Sequence, residues 1–250
     1  MVSQGHVRDL FPRLQRPDVA DQLSPHKRPR EVAFVDGLPR NEDPMIIDPA
    51  DLDSRDLYLL LVSVVVPRPI AWVTTQSKGG VVNLAPFSYF NAITSRPPMI
   101  QLCVGQRRLD GEFVDKDTLR NVKDTGELVV NVATEPLVAQ VNQSSGEYAP
   151  DVSEVGEVGL TAVPSEIVAP PRIAESPVNL ECKLERVLML GRAPQVGMII
   201  AEIVRAHVAD AVWDEASRSV DPTVLQPVAR LGGTMYTTLG RVFSLARPKV

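Results

Sequence analysis

The chain is poor in the side chains that most often announce a reaction. Its three histidines, His6, His26 and His207, lie far apart without ligand spacing, which argues against a zinc centre, and no metal is expected. The two cysteines, Cys103 and Cys182, each sit inside an apolar strand-like run and read as reduced, packed residues rather than as a disulfide or metal pair. There is no Ser-His-Asp order and no recognisable pair of catalytic carboxylates, so no residue is assigned a catalytic role. No Gly-x-Gly-x-x-Gly follows a strand, which removes support for a Rossmann-type dinucleotide site. No apolar run approaches the ~20 residues of a membrane span. Residues 1–9 hold His6, Arg8 and Asp9 where a signal peptide needs an apolar centre, so a cytoplasmic protein is expected. A net charge of −5 lacks the clustered positive field of a general nucleic-acid binder.

Aromatic residues are also scarce at 5%, whereas prolines number 22 and many fall between strand-like segments. That balance favours a mainly β fold with a few helices and sharply defined connections. Residues 1–50 stand apart, because Pro12, Pro17, Pro25, Pro29, Pro39, Pro44 and Pro49 recur there among charged residues. They read as an N-terminal extension, either an arm that wraps a partner or a loose tail. Residues 51–250 read as one globular domain. Apolar runs at 57–66, 70–75, 99–104, 128–133, 178–190 and 198–211, several of them β-branched and bounded by Gly or Pro, are expected strands. Short helices are expected at 117–123 and at 136–144, the latter opening with Pro136 at a first-turn position. Strands without a regular alternation of long helices favour an antiparallel barrel over a doubly wound parallel sheet.

Three constellations carry candidate chemistry. The first joins Trp72, Val73, Thr74 and Thr75 to a return segment holding Asn83, Ala85, Pro86, Phe87, Ser88 and Asn91. Apolar faces with a few hydroxyls and amides suit a flat, mostly apolar cofactor such as a tricyclic redox ring. The alternative is a hairpin whose Trp72, Phe87 and Phe90 are ordinary core. The second is Lys116-Asp117-Thr118 with Asn121, where a cation, a hydroxyl and free N–H groups at a helix start suit a phosphate monoester. Asp117 is better suited to capping that helix than to touching an anion, and a capped surface helix is the plain alternative. The third is Arg230-Leu231-Gly232-Gly233-Thr234-Met235-Tyr236, a turn whose arginine could take a carboxylate or phosphate in bidentate fashion, or be structural.

Together these blocks, with Pro67-Arg68-Pro69-Ile70-Ala71 leading the first, resemble the flavin reductase-like family of FMN-binding split barrels across residues 57–248. The resemblance implies a six-stranded antiparallel split β-barrel, a homodimer, and FMN held noncovalently near the subunit interface. It implies hydride transfer from NADH or NADPH to flavin, with a separate monooxygenase as a possible recipient of reduced flavin. It places the flavin ring and ribityl chain against Trp72, Val73, Thr74 and Thr75 and against Pro86, Phe87 and Ser88. The ribityl hydroxyls and phosphate would meet Asn91, Lys116, Asp117 and Thr118. His207 shares a strand-like run with Arg205; an isolated strand histidine is more often structural, but near a reduced flavin it would stabilise the anionic form. Two rival readings stand beside the reductase: a noncatalytic FMN-binding electron-transfer protein, and a specialised FMN-dependent enzyme acting on another small molecule. Residues 106–115 read as a charged, insertion-like loop able to cover the nicotinamide site or shape such a pocket.

Overall fold

The computed structural model describes residues 44–248. The expected extension therefore lies outside the described residues, except for residues 44–50. Ile46–Val242 forms one compact unit. Its centre is an eight-stranded sheet built from β1 (Ala71–Gln76), β2 (Val82–Phe87), β3 (Phe90–Ser95), β4 (Pro98–Leu109), β5 (Glu112–Asp115), β6 (Glu127–Val132), β7 (Val178–Leu190) and β8 (Val196–Val208). The order is β2-β1-β6-β7-β8-β4-β3, all neighbours antiparallel, with β5 paired to β4. Eight strands replace the six that the resemblance implies.

That order forces the sheet to roll. Its two edges, β2 and β3, are consecutive in the chain and joined only by Ser88 and Tyr89. Laid flat, seven strands at about 4.8 Å spacing would hold those edges roughly 29 Å apart. A two-residue link bridges at most about 11 Å between the flanking Cα atoms. The sheet therefore closes into a barrel with a seam between β2 and β3. Register shifts at Glu181/Cys182 and Leu184/Arg186 bend the long β7–β8 hairpin around this curve.

Strand alternation then makes two cores. Ala71 and Val73 of β1 face into the barrel with Leu102, Val104, Leu128, Val130 and Ile199, while Ile70 and Trp72 face outward against Leu137, Val141 and Ile173. A strand buried on both faces favours an apolar run; Ile70 to Val73 supply it, and the buried hydroxyls that follow are bonded, Thr74 to Pro171 O and Thr75 to Asn121 Nδ2. Helix α2 (Asp117–Thr125) plugs the barrel with Leu119 and Val122. Gly197 of β8 makes room for it: a Cβ built there would lie 2.7 Å from both Leu119 methyl carbons. Helix α3 (Val138–Gln143), preceded by a 3-10 turn at Glu135–Leu137, and helix α4 (Glu154–Glu157) cover the outer core.

Buried polar groups in this wall are satisfied. Asn131 donates to Trp72 O at 3.0 Å and accepts from Ile173 N at 3.0 Å and Asn179 Nδ2 at 2.9 Å. Glu181, fully buried, accepts from the backbone N–H groups of Glu166, Ile167 and Val168.

Two expectations are corrected. Residues 57–66 are not a strand: α1 (Ser54–Val64) runs through them, capped by Asp53, whose carboxylate accepts from Arg55 N and Asp56 N at 2.8 Å. The cap and the helix-forming Leu59, Leu60 and Leu61 outweigh the β-branched valines, and Pro67 stops the helix. Residues 106–115 are not a loop but a hairpin of β4 and β5, turned by Asp110 (φ 50°) and Gly111 (φ 91°). Those angles make a two-residue turn matched to strand twist. Among the described residues, no helix is long and apolar enough to cross a membrane, and no cluster of His, Cys, Asp or Glu could hold a metal. Both cysteines are free.

Candidate functional site

The seam between β2 and β3 is where polar groups remain available. Three adjoining cavities follow it. One of about 200 Å³ lies between β2 and the start of α2, lined by Asn83, Ala85, Pro86 and Phe87 on one side and Lys116, Asp117 and Thr118 on the other. The next, about 210 Å³, shares Pro86 and Phe87 and adds Ile70, Ser88, Asn142, Arg230 and Tyr236. The third, about 460 Å³, shares Ser88 and adds Asn91. Asn83, Ala85, Pro86, Phe87, Lys116, Asp117 and Thr118 are thus brought together, with Ser88 at the junction of the second and third cavities.

The first cavity gathers cations and hydrogen-bond donors beside carboxylates. Lys116 occupies the N-cap position of α2 with no side-chain cap bond, so the helix start keeps donors for another acceptor. Asp117, the expected cap, is instead the first helical residue; it pairs with Arg120 and, at 3.4 Å, with Arg107. Asn83 donates to Thr118 Oγ1 at 2.9 Å, which leaves the Thr118 hydroxyl hydrogen for a further partner. Arg107, at the base of the β4–β5 hairpin, also lines this cavity, and its buried Nε has no hydrogen-bond partner among the described residues. Leaving such a donor unmet costs about 1–3 kcal/mol. A phosphate monoester beside Lys116 and Arg107 would supply the missing acceptor, so the residues present fit the phosphate end of a flavin nucleotide. Three carboxylates also line this cavity: Asp117 is held by two arginines, Glu154 accepts from Leu84 N at 2.8 Å while burial pushes its carboxyl up, and Glu147 is the third.

The second cavity offers a flat apolar wall, Ile70, Pro86 and Phe87, opposite polar groups. The Arg230 guanidinium stacks 4.4 Å from the Tyr236 ring and donates to Gly233 O at 2.7 Å, and Tyr236 donates to Asn142 Oδ1 at 3.2 Å. Gly233 takes φ 61°, the positive angle expected of the glycine pair.

The remaining expected residues sit elsewhere. Trp72, Val73, Thr74 and Thr75 are fully buried and line none of the three cavities. They stand behind the site: Trp72 Nε1 donates to Ser144 Oγ at 2.9 Å, setting a serine that lines the first cavity, and Asn121 Nδ2 donates to Thr75 Oγ1 at 3.1 Å, tying α2 to β1. Asn121 is 2% exposed and has no atom to offer the larger cavities. His207 also lines none of them; its Nε2 lies 2.6 Å from Glu181 Oε1, so it braces the carboxylate that holds residues 166–168. Arg107, Asn142, Ser144 and Ser145 were not legible as site residues, although the small polar turn after a helix and the arginine pair before Asp110-Gly111 were visible signals.

Comparisons with known proteins bear on the family and the fold. The model of the "Flavin reductase like domain" family matches residues 63–224. The crystal structure of nitrilotriacetate monooxygenase component B from Bacillus cereus is 36% identical, with a TM-score of 0.76 over 81% of this chain and 98% of that one. The 2-nitrobenzoate 2-nitroreductase NbaA of Pseudomonas fluorescens is 30% identical, with a TM-score of 0.73 over 82% and 96%. A split barrel domain protein of Shewanella frigidimarina, 22% identical with a TM-score of 0.70 over 82% and 100%, shares the fold. A rolled sheet that leaves its polar groups open along one seam, matched by a family model over most of the chain, makes this protein a member of the flavin reductase like domain family.

Proposed function

We propose that the protein is an FMN-binding oxidoreductase that moves a hydride from NADH or NADPH to flavin and passes reduced flavin to a separate monooxygenase. The observation that carries this reading is the cavity at the start of α2, where Lys116, Thr118 and Arg107 come together and the Arg107 Nε lacks a partner among the described residues. Lys116, Thr118 and Arg107 would hold the phosphate, whose two negative charges favour FMN over riboflavin. Pro86, Phe87 and Ser88 would lie along the ring, where Ile70 and Phe87 exclude water from one face. Bound flavin would supply the two-electron acceptor for the nicotinamide's hydride. The protein's part is to hold the two rings in contact and to place a cation, Arg230, near developing negative charge. No side-chain acid or base is needed for that step, in keeping with the absence of an assigned catalytic residue.

A second copy of the chain is the proposed partner in solution, supported by the exposed Tyr58, Leu59 and Val64 along α1, none of which lines a cavity described above. The free thiols of Cys103 and Cys182 suit a reducing cytoplasm. The relative that reduces 2-nitrobenzoate favours a second reading, in which an organic acceptor takes the electrons directly. Anaerobic stopped-flow mixing of the FMN-loaded protein with NADH, and separately with NADPH, tests both. Rapid bleaching of the oxidised flavin band, with turnover on free flavin and no organic acceptor added, establishes the reductase and its donor. Bleaching that is fast while turnover requires an added organic acceptor supports the second reading, and bound flavin that neither donor reduces leaves an electron carrier.

A further inference from the structure

The third and largest cavity is not needed for the flavin phosphate, and its floor carries an unusual charge. Arg68 is 6% exposed. Its guanidinium donates to Val62 O at 2.9 Å, Val65 O at 2.8 Å and Leu231 O at 3.0 Å, with Ser88 Oγ at 3.5 Å from Nε. All these partners are neutral, and among the described residues no carboxylate pairs with Arg68. A buried arginine is rarely left so, because desolvating it is costly unless a counter-charge is near. The C-terminal carbonyls of α1 carry partial negative charge, but none of these acceptors is a full counter-charge.

A second arginine sharpens the imbalance. Arg68 lies directly opposite Arg230 in the antiparallel pair of Arg68–Pro69 with Ala229–Arg230. Like charges facing each other across strands are unfavourable, and no described carboxylate pairs with Arg230 either. Ser88 lines both cavities, the one that contains Arg230 and the one that contains Arg68. The larger cavity is otherwise lined mainly by apolar groups, Leu61, Val65, Tyr89 and Phe90 among them, with the Asn91 and Gln101 amides as its remaining polar side chains.

From this we infer a second-substrate site: the 460 Å³ cavity takes a small aromatic or otherwise apolar organic acid, with its carboxylate at Ser88 between Arg68 and Arg230. The inference rests on the flavin reading only for its functional meaning, since an acid held there would lie beside the apolar wall proposed for the flavin ring.

The test is calorimetric titration of the flavin-free full chain with benzoate and with its neutral isostere benzamide. Benzoate is expected to bind at least tenfold more tightly. That preference should disappear in Arg68→Met and survive in part in Arg68→Lys, which keeps the charge without the fork. Inorganic phosphate at equal concentration should not displace benzoate. A benzoate-to-benzamide ratio below threefold in the unaltered protein overturns the proposal, as does a full preference in folded Arg68→Met or displacement by phosphate. Should Arg68→Met fail to fold, the ratio in the unaltered protein decides alone. A parallel FMN titration reports on the flavin reading separately, so either idea can fail without the other.

Discussion

The barrel wall around β6 and β7 and the seam between β2 and β3 use similar polar residues to opposite ends. In the wall, Asn131 and Glu181 meet every neighbour they need inside the protein. Along the seam, and among the described residues, Arg107 Nε has no partner, Arg68 has no counter-charge, and the Thr118 hydroxyl keeps a hydrogen to give. Burial alone does not separate the two groups, since Arg68, Thr118 and Asn131 are all buried. What separates them is whether hydrogen bonds and charge are already balanced, and only the unbalanced set is available to a ligand.

The comparison can be broken most directly in the wall. Asn131→Leu should remove about 4 kcal/mol of stability, because Ile173 N and Trp72 O would each lose the buried Asn131 bond and the Asn179 amide would keep only Ile173 O; urea unfolding measures it, and a loss below about 1 kcal/mol would show that the wall tolerates imbalance after all. Next comes Glu181. Burial alone would raise its carboxyl, but the N–H groups of Glu166, Ile167 and Val168, together with His207, hold it at about 2. Its folded value lies below the unfolded one, so its stabilisation is fully present above about pH 5 and fades as pH falls toward 2. That window should account for about 3 kcal/mol, and Glu181→Gln should flatten the acid limb of the stability curve. Flat behaviour in the unaltered protein would contradict the assignment.

At the seam the effects move from stability to binding. Lys116→Ala and Arg107→Ala should each weaken FMN by about 1–3 kcal/mol while leaving riboflavin, which lacks the phosphate, nearly untouched. Equal losses for both flavins in fluorescence titrations would place the phosphate elsewhere. The smallest effect belongs to the exterior: Lys78 pairs with Asp124 at 3.1 Å, but the lysine side chain is 70% exposed, and Lys78→Ala should change stability by less than about 0.5 kcal/mol.

Much of the wall was legible beforehand, because β-branched runs bounded by proline and glycine constrain strands strongly: residues 178–190 coincide with β7. The helix α1 was hidden by its valine-rich end, although Asp53 ahead of a leucine run was a readable start signal. Asp110-Gly111 was likewise a readable hairpin turn inside what looked like a charged loop. The block from Trp72 to Thr75 was legible as a strand, yet which of its atoms reach a cavity depends on α3 and α4 covering its outer face, and pairings between distant segments are not written in local pattern. Arg107 was hidden for the same reason: its value as a donor depends on lacking a partner, a property of the folded arrangement alone.

Gly197 gives the barrel an unexpected kind of control over its ligand. The glycine sits on β8, fills no cavity and touches no proposed ligand, yet its missing methyl is what lets Leu119 seat α2, the helix that begins beside Lys116. Volume inside the bore thus works as a set-screw on a grip outside it. Natural variation or engineering at such a position could loosen or tighten an anion's hold without altering one charge, and a survey confined to residues that meet the ligand would pass over the adjustment entirely.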